Sequence, residues 1–459
     1  MEAVAIPSNF IESLVGLLKG GPQLVLVKGE PGTGKTTFAF TLLKSLKLYG
    51  SIAYFAAREE LRKIELYAPE LLQELPREYI FQIKNPRYIS VVKKQDAIKY
   101  LGFEGKHPLM RIIFDICDTS ERAFVVIDSI DAIREELESD ESLTDFIKDL
   151  TELGILKNVS YILVSESSKV DTKLDYFADV IILLKRRYVQ NRLVRELQIV
   201  KNKFNPIFKS FLLFTIINHR VITVHLDKKR IFPSDIATRK TAYPIKHFSH
   251  ELFFTGINVL DNKILSGIKK GSVLLFGIDT KIPLPYKTPI FLAIVINFLL
   301  QNKSVYLVPP IAFNKKGFND MLSLWVPKEK LNITYFNYKK DVSLDDLIVW
   351  DKTHENEREY LKIVILGALE QFFNHNDIVI YVEHAVSLAH KNNSLLIITA
   401  PLTSPLYEYF RHVVPYLIEL HCLGSGIGLI ARAPVSDVAY ILQLHMDNGY
   451  PQVDLYPVY

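Results

Sequence analysis

Disulfide chemistry is the first thing the chain lacks. Its 459 residues hold two cysteines, Cys117 and Cys422. They are too few and too far apart for a disulfide framework or a four-ligand metal site, so a reducing cytoplasm is the expected setting. The histidines show no paired spacing with acids or cysteines, which leaves out a histidine-held transition metal. A strong excess of one charge is also lacking. The net charge is +4 and the pI near 8.6, values that permit nucleic acid as a partner without arguing for it. Long apolar runs are missing as well. The stretch Pro289 to Leu300 falls well short of the ~20 residues that cross a bilayer and reads as a buried helix, so no membrane partner is expected. The opening MEAVAIPSNF has no basic segment followed by an apolar run, and no signal peptide is expected.

What is present is a soluble globular balance, 49% apolar against 23% charged residues, in a length that suits two or three domains. Leu24–Val27, Ile52–Ala56, Phe124–Ile127, Tyr161–Val164 and Val180–Leu184 read as strands, nearly all continuously apolar. That pattern suits central strands of a parallel sheet covered on both faces. Helical patterns such as Thr36–Leu48 and Leu143–Leu153 lie between them, and the βαβα order predicts an open, doubly wound α/β sheet. Glu196–Val200, Phe211–Ile217 and Val221–His225 read as antiparallel strands that extend it.

Residues 227–250 are basic and polar and carry two prolines. They read as a linker between a first domain, 1–226, and a second, 251–459, and as a solvated tether rather than a grip on DNA. In the second domain Val273–Phe276, Val305–Val308, Ile363–Leu366 and Leu395–Thr399 read as strands. The two halves repeat one plan. Lys35 lies nineteen positions before Tyr54, and Lys287 nineteen before Tyr306, each pair spanning a strand end, a helix and the next strand. We read this as an internal duplication.

Gly29-Glu30-Pro31-Gly32-Thr33-Gly34-Lys35-Thr36, followed by Thr37, fits G-x-x-x-x-G-K-[ST] in full, after a predicted strand and at the opening of a predicted helix. Glycines let backbone N–H groups surround phosphate oxygens without Cβ clashes. The helix directs the positive end of its dipole at the anion. Lys35 is placed to reach the β and γ phosphates of ATP, and the Thr36 hydroxyl to ligate Mg²⁺. Asp128 ends the apolar run Ala123–Ile127, which in a parallel sheet sets it at the carboxyl edge, where it serves the same metal; Asp131 is better suited to cap the following helix. Glu59 and Glu60 follow the second strand at that edge. They read either as the group that orients the attacking water or as an acidic pair that complements a helix dipole.

These pieces resemble the KaiC-like branch of the RecA superfamily of ATPases. The resemblance rests on GEPGTGKTT, the glutamate pair, VVIDSI at Val125–Ile130, YFADVIILL at Tyr176–Leu184, RELQIVKNK at Arg195–Lys203 and FTGINVLDNKILSGIKKGSVLLFG at Phe254–Gly277. Archaeal two-domain members, including those similar to the gas-vesicle regulator GvpD, share most with it. The resemblance implies two tandem RecA-like domains with mostly parallel central sheets. It implies that Glu59 and Glu60 form the catalytic pair. It also implies that Lys201 and Lys203 match a Lys-x-Arg pair that reaches the γ-phosphate of a neighbouring subunit, with Lys203 lacking the fork of an arginine. Fingers supplied in trans imply a homo-oligomeric ring, commonly a hexamer, with ATP at the subunit boundaries.

The chain departs from that pattern in two places. The first half opens on IPSNFIESLVGLLKGGP, without the Thr-Gly…Leu-Asp pattern that begins such a domain. In the second half, Gly277 and Lys287 are ten positions apart, against six from Gly29 to Lys35; no glycine precedes Lys287, and Pro283 and Pro285 remove N–H donors. Its strand at Ile363–Leu366 runs on to Gly367 where the first half has Asp128. The second domain is therefore expected not to hydrolyse ATP. Phe372-Phe373 and Tyr407–Phe410 read as core rather than base-stacking surface. The expected function is a regulatory ATPase with a regulatory protein partner. The alternatives are a nucleotide-gated scaffold with little turnover and a recombinase-like DNA-binding ATPase.

Overall fold

A computed structural model describes residues 10–58, 61–73, 75, 80–85, 88–91, 99–102, 108–117, 120–136, 140–169, 173–189, 192–204, 211–224, 245–424, 426–433, 436–447 and 450–458. The chain forms two compact units, residues 1–224 and 225–458. Of the predicted linker, residues 227–244 lie outside the described residues. Residues 245–250 are held by the second unit: the Lys246 N–H donates to Asn297 Oδ1 at 3.0 Å and the Phe248 N–H to Gln301 Oε1 at 2.9 Å.

The strands of the first unit are β1 (Leu24–Gly29), β2 (Ser51–Ala56), β3 (Ile80–Asn85), β4 (Tyr88–Val91), β5 (Lys99–Gly102), β6 (Ala123–Asp128), β7 (Val159–Ser165), β8 (Val180–Val189), β9 (Arg192–Asn202), β10 (Phe211–Ile217) and β11 (Arg220–Val224). They form one sheet in the order β11-β10-β9-β8-β1-β7-β6-β2-β3-β4-β5. From β8 to β3 neighbours run parallel; β9 to β11, and β4 and β5, add antiparallel strands at the two sides. The helices are α1 (Phe10–Gly20), α2 (Lys35–Leu46), α3 (Leu61–Tyr67), α4 (Pro69–Gln73), α5 (Pro108–Cys117), α6 (Ile130–Glu136), α7 (Asp140–Lys157) and α8 (Lys173–Phe177).

Strand alternation explains why the central runs are continuously apolar. Val25, Val27 and Tyr54 pack with α1, α2 and α3 on one face, whereas Leu24, Leu26 and Phe55 pack with α5 and α7 on the other. In α1 the residues Ile11, Leu14, Val15 and Leu18 recur at helical spacing, and this is the stripe it buries.

The second unit has a short pair, β12 (Leu252–Phe253) with β13 (Ile268–Lys269), and a sheet built of β14 (Val273–Ile278), β15 (Val305–Val308), β16 (Ile333–Tyr335), β17 (Leu361–Ile365), β18 (Leu395–Pro401), β19 (Tyr416–Cys422), β20 (Ile427–Ala433), β21 (Ser436–Asp447) and β22 (Tyr450–Pro457). Its order is β16-β15-β17-β18-β14-β19-β20-β21-β22. Its helices are α9 (Leu284–Leu300), α10 (Lys315–Leu322), α11 (Leu344–Lys352), α12 (Leu366–Leu369), α13 (His375–Lys391) and α14 (Pro405–Phe410). Strand for strand, this order repeats β3-β2-β6-β7-β1-β8-β9-β10-β11 of the first sheet. The architecture is α/β with two tandem RecA-like units and mostly parallel central sheets, as expected. The buried helix expected at 289–300 is the body of α9, whose residues Ile290 and Leu292 to Leu299 are buried. Tyr407 and Phe410 are core residues, while Tyr409 is half exposed. Among the described residues no helix is long and apolar enough to cross a membrane.

The opening pattern of the second unit has a clear local purpose. The Thr255 N–H and hydroxyl donate to Asp261 Oδ1 at 2.7 and 2.8 Å, and the Gly256 N–H to Oδ2 at 3.0 Å. Burial pushes the Asp261 carboxyl up to about 6, and these donors hold it from rising further.

Candidate nucleotide site

β1 lies between β7 and β8 and ends at Gly29. The chain then needs a turn that starts beside β8 without colliding with it. A Cβ on Gly29 would stand 2.5 Å from the Leu184 carbonyl oxygen, so only glycine fits. Gly34, immediately before α2, has φ 97 and ψ 20, the left-handed conformation that glycine adopts at least cost. Between them Thr33 closes the loop: its N–H and its hydroxyl both donate to the Glu30 carbonyl, at 3.3 and 2.8 Å. Glu30, Pro31 and Gly32 are exposed, and Thr37 is half-buried in the first turn of α2.

α2 begins at Lys35, so the first N–H groups of the helix open onto the loop. Lys35 is buried, and its Nζ donates to the Glu30 carbonyl at 2.9 Å. Thr36 points the other way, and its hydroxyl donates to Asp128 Oδ2 at 2.7 Å. Asp128 ends β6, in register with Ala56 of β2 and Val164 of β7. The Tyr54 hydroxyl donates to the same Oδ2 at 2.9 Å, and the Asp128 carbonyl accepts the Ala57 N–H at 2.6 Å. Sequence reading had placed Tyr54 on the second strand but had missed this contact. The two residues are 74 positions apart, and only the parallel pairing of β2 with β6 joins them.

Asp131 does not cap its own helix. Its Oδ2 accepts the Glu166 N–H at 2.5 Å and its Oδ1 the Ser165 hydroxyl at 3.3 Å, tying α6 to the end of β7. The cap is Ser129, whose hydroxyl accepts the Ala132 N–H at 3.4 Å.

Glu59 and Glu60 lie outside the described residues. The chain on either side of them is fixed. Gln82 of β3 donates to the Ala56 carbonyl at 3.0 Å and accepts the Leu61 N–H at 2.7 Å. Arg58 pairs with Glu166 at 2.5 Å.

The structure does not bring Lys201 and Lys203 to this loop within one chain. Lys201 stands in register with Ile181, toward the amino end of β8, whereas Gly29 is beside Leu184. Lys201 Nζ donates to the Asp175 carbonyl at 2.9 Å, and Lys203 lies 3.5 Å from Asp179.

The cation beside the loop is one that sequence reading had passed over. Arg186 of β8 places Nη1 3.0 Å from the position a Cβ on Gly32 would take. It is in register with Arg195 of β9, whose buried Nε has no hydrogen-bond partner among the described residues. Burial, and then the charge of Arg186, pull the Arg195 guanidinium below its ordinary value. Two like charges directly opposite on adjacent strands oppose each other, and an anion over the loop would relieve them. The run Lys185-Arg186-Arg187 after an apolar strand was the available signal.

The matching place in the second unit is built differently. α9 begins at Leu284, after Pro283, so Lys287 sits inside the first turn rather than at the helix start. The Thr288 hydroxyl donates back to the Leu284 carbonyl at 2.8 Å. β17 ends at Ile365, two residues before the predicted Gly367, and carries no carboxylate. Beside Gly277 the Tyr407 ring and Leu402 stand 2.5 and 2.6 Å from where a Cβ would be.

Comparison with known proteins agrees with the loop. The family model described as "GvpD gas vesicle protein, P-loop domain" matches residues 18–200. Protein GvpD2 of Halobacterium salinarum is 24% identical over 313 residues, which cover 66% of this chain and 62% of that protein. The chain therefore spans less than two thirds of the length of the curated relative it matches. The KaiC-like resemblance is the coarser description: residues 18–200 are similar to a P-loop domain of the GvpD type.

Proposed function

We propose that the first unit binds ATP with Mg²⁺ and hydrolyses it, and that the second unit is its non-hydrolysing partner. The observation that carries this reading is the 2.7 Å contact between the Thr36 hydroxyl and the Asp128 carboxylate, at the mouth of a glycine-lined loop that opens a helix. The pair offers hard oxygen ligands and leaves room for water and phosphate, the donor set that magnesium takes. When bound, the ion neutralises phosphate charge. The chain's own residues do the rest. Loop N–H groups and the α2 terminus bind the β-phosphate side. Lys35 exchanges the Glu30 carbonyl for phosphate oxygens. Arg186 adds positive charge over Gly32. Glu59 or Glu60 orients the attacking water, and Lys201 and Lys203 serve the site of a neighbouring copy in a ring.

The output in this reading is regulatory. ATP binding and turnover change how the chain packs with copies of itself and with a protein partner. The name of the matching family points to gas vesicles as the setting. The test is equilibrium binding of a fluorescent ATP analogue with and without Mg²⁺, together with phosphate release, on the full chain. Wild type should bind only one nucleotide per chain and release phosphate. Glu59→Gln with Glu60→Gln should bind normally and release none. Unchanged release in that double variant would remove the pair from the mechanism.

A further inference from the structure

We propose that the second unit holds a small-molecule site of its own, for an apolar ligand that carries one carboxylate. The site is a cavity of about 630 Å³ at the carboxyl edge of the second sheet, within the range of pockets that bury a drug-sized ligand. One stripe of α9, with Lys287, Phe291 and Val295 at helical spacing, forms a wall. Phe313 and Phe318, whose rings contact each other, and Leu307 of β15 also line it. Hydrocarbon left facing water in this way opposes folding, and an apolar guest removes that surface from solvent.

The charged residue in the lining is Lys287. It is half-buried, and its ammonium has no hydrogen bond or ion pair among the described residues. Burial pulls its amine below the usual lysine range. A cation in an apolar wall is stabilised by an anion that enters with it. That anion is not a phosphate. A phosphate needs several converging donors, and here Pro283 and Pro285 take N–H groups from the start of α9 while the Thr288 hydroxyl proton is committed to the Leu284 carbonyl. A carboxylate asks for less: one ammonium, and a hydroxyl such as that of Thr399 on the same cavity wall.

The test is a titration of cis-parinaric acid, a fluorescent long-chain carboxylate, into the full chain with Mg·ATP present, beside the matching alcohol. Expected is one saturable site per chain, with the alcohol weaker by about tenfold or more. Lys287→Met keeps the stem and should bring the acid down to the alcohol's affinity while the alcohol is unchanged. Leu307→Trp should abolish binding of both, and Lys35→Ala should bind both as wild type does. Lack of saturation, equal affinity for acid and alcohol, or an indifferent Lys287→Met would each overturn the proposal. Lys287→Met changes only a half-buried helix side chain, so it decides the matter even where Leu307→Trp does not fold.

Discussion

The two loops that follow β1 and β14 stand at the same place in two sheets of the same strand order, yet one is shaped for a phosphate and the other is not. In the first, the helix starts at the lysine, and the next residue's hydroxyl meets a carboxylate on the neighbouring strand. In the second, the helix starts earlier, the lysine is inside it, the threonine turns back on its own helix, and the strand has no acid to meet. The sheet is thus indifferent to function. What decides it is where the helix begins relative to the loop.

The sharpest way to break this comparison is Lys35→Ala. Phosphate release should fall by ~10²–10³-fold, the usual loss for one transition-state charge contact, whereas Lys287→Ala leaves it unchanged. Turnover that survives in Lys35→Ala would mean that the asymmetry has been read wrongly. Asp128→Asn should weaken magnesium-dependent nucleotide binding by about 10–100-fold, as for residues that orient a metal's ligands, with binding in EDTA little altered. A third contrast concerns the units' openings, since the first has no counterpart of Asp261. Its folded value, about 6, is raised above the ordinary 3.8. Its contribution to stability is therefore full below pH ~3.8 and is lost as pH rises through ~6, a change of at most roughly 3 kcal/mol. Asp261→Asn should flatten the fall in thermal midpoint between pH 4 and 7; an equally steep fall in the variant would discharge Asp261 from that role. The smallest effect is expected from Arg186→Ala. Its side chain is exposed, so nucleotide affinity should drop only on the order of threefold, and the drop should shrink in high salt.

How much of this could be read in advance follows from locality. The phosphate loop was legible because its whole signal lies within nine residues. β1, β2, β6, β7 and β8 were legible because strands buried on both faces are continuously apolar. The strands β3 to β5 escaped notice because their runs are short and mixed, IFQIKN, YISV and KYLG. β19 escaped for another reason. Its sequence YLIELHC breaks an apolar run with Glu419 and His421, and only the fold shows that these two pair with each other at 2.8 Å in the interior. The partnership of Tyr54 with Asp128 and the nearness of Arg186 to Gly32 depend on strand pairing, which no window of sequence contains.

The ring that stands against Gly277 limits what β14 can carry there, on the face of the strand opposite α9. A larger residue at 277 would meet Tyr407. Removing Tyr407 would take a hydroxyl from Glu419, a buried carboxylate that the ring's oxygen and His421 together satisfy. An engineer seeking to place a side chain at 277 must therefore redesign a strand, an aromatic and an acid at once. Each change made alone lowers stability with nothing to offset it.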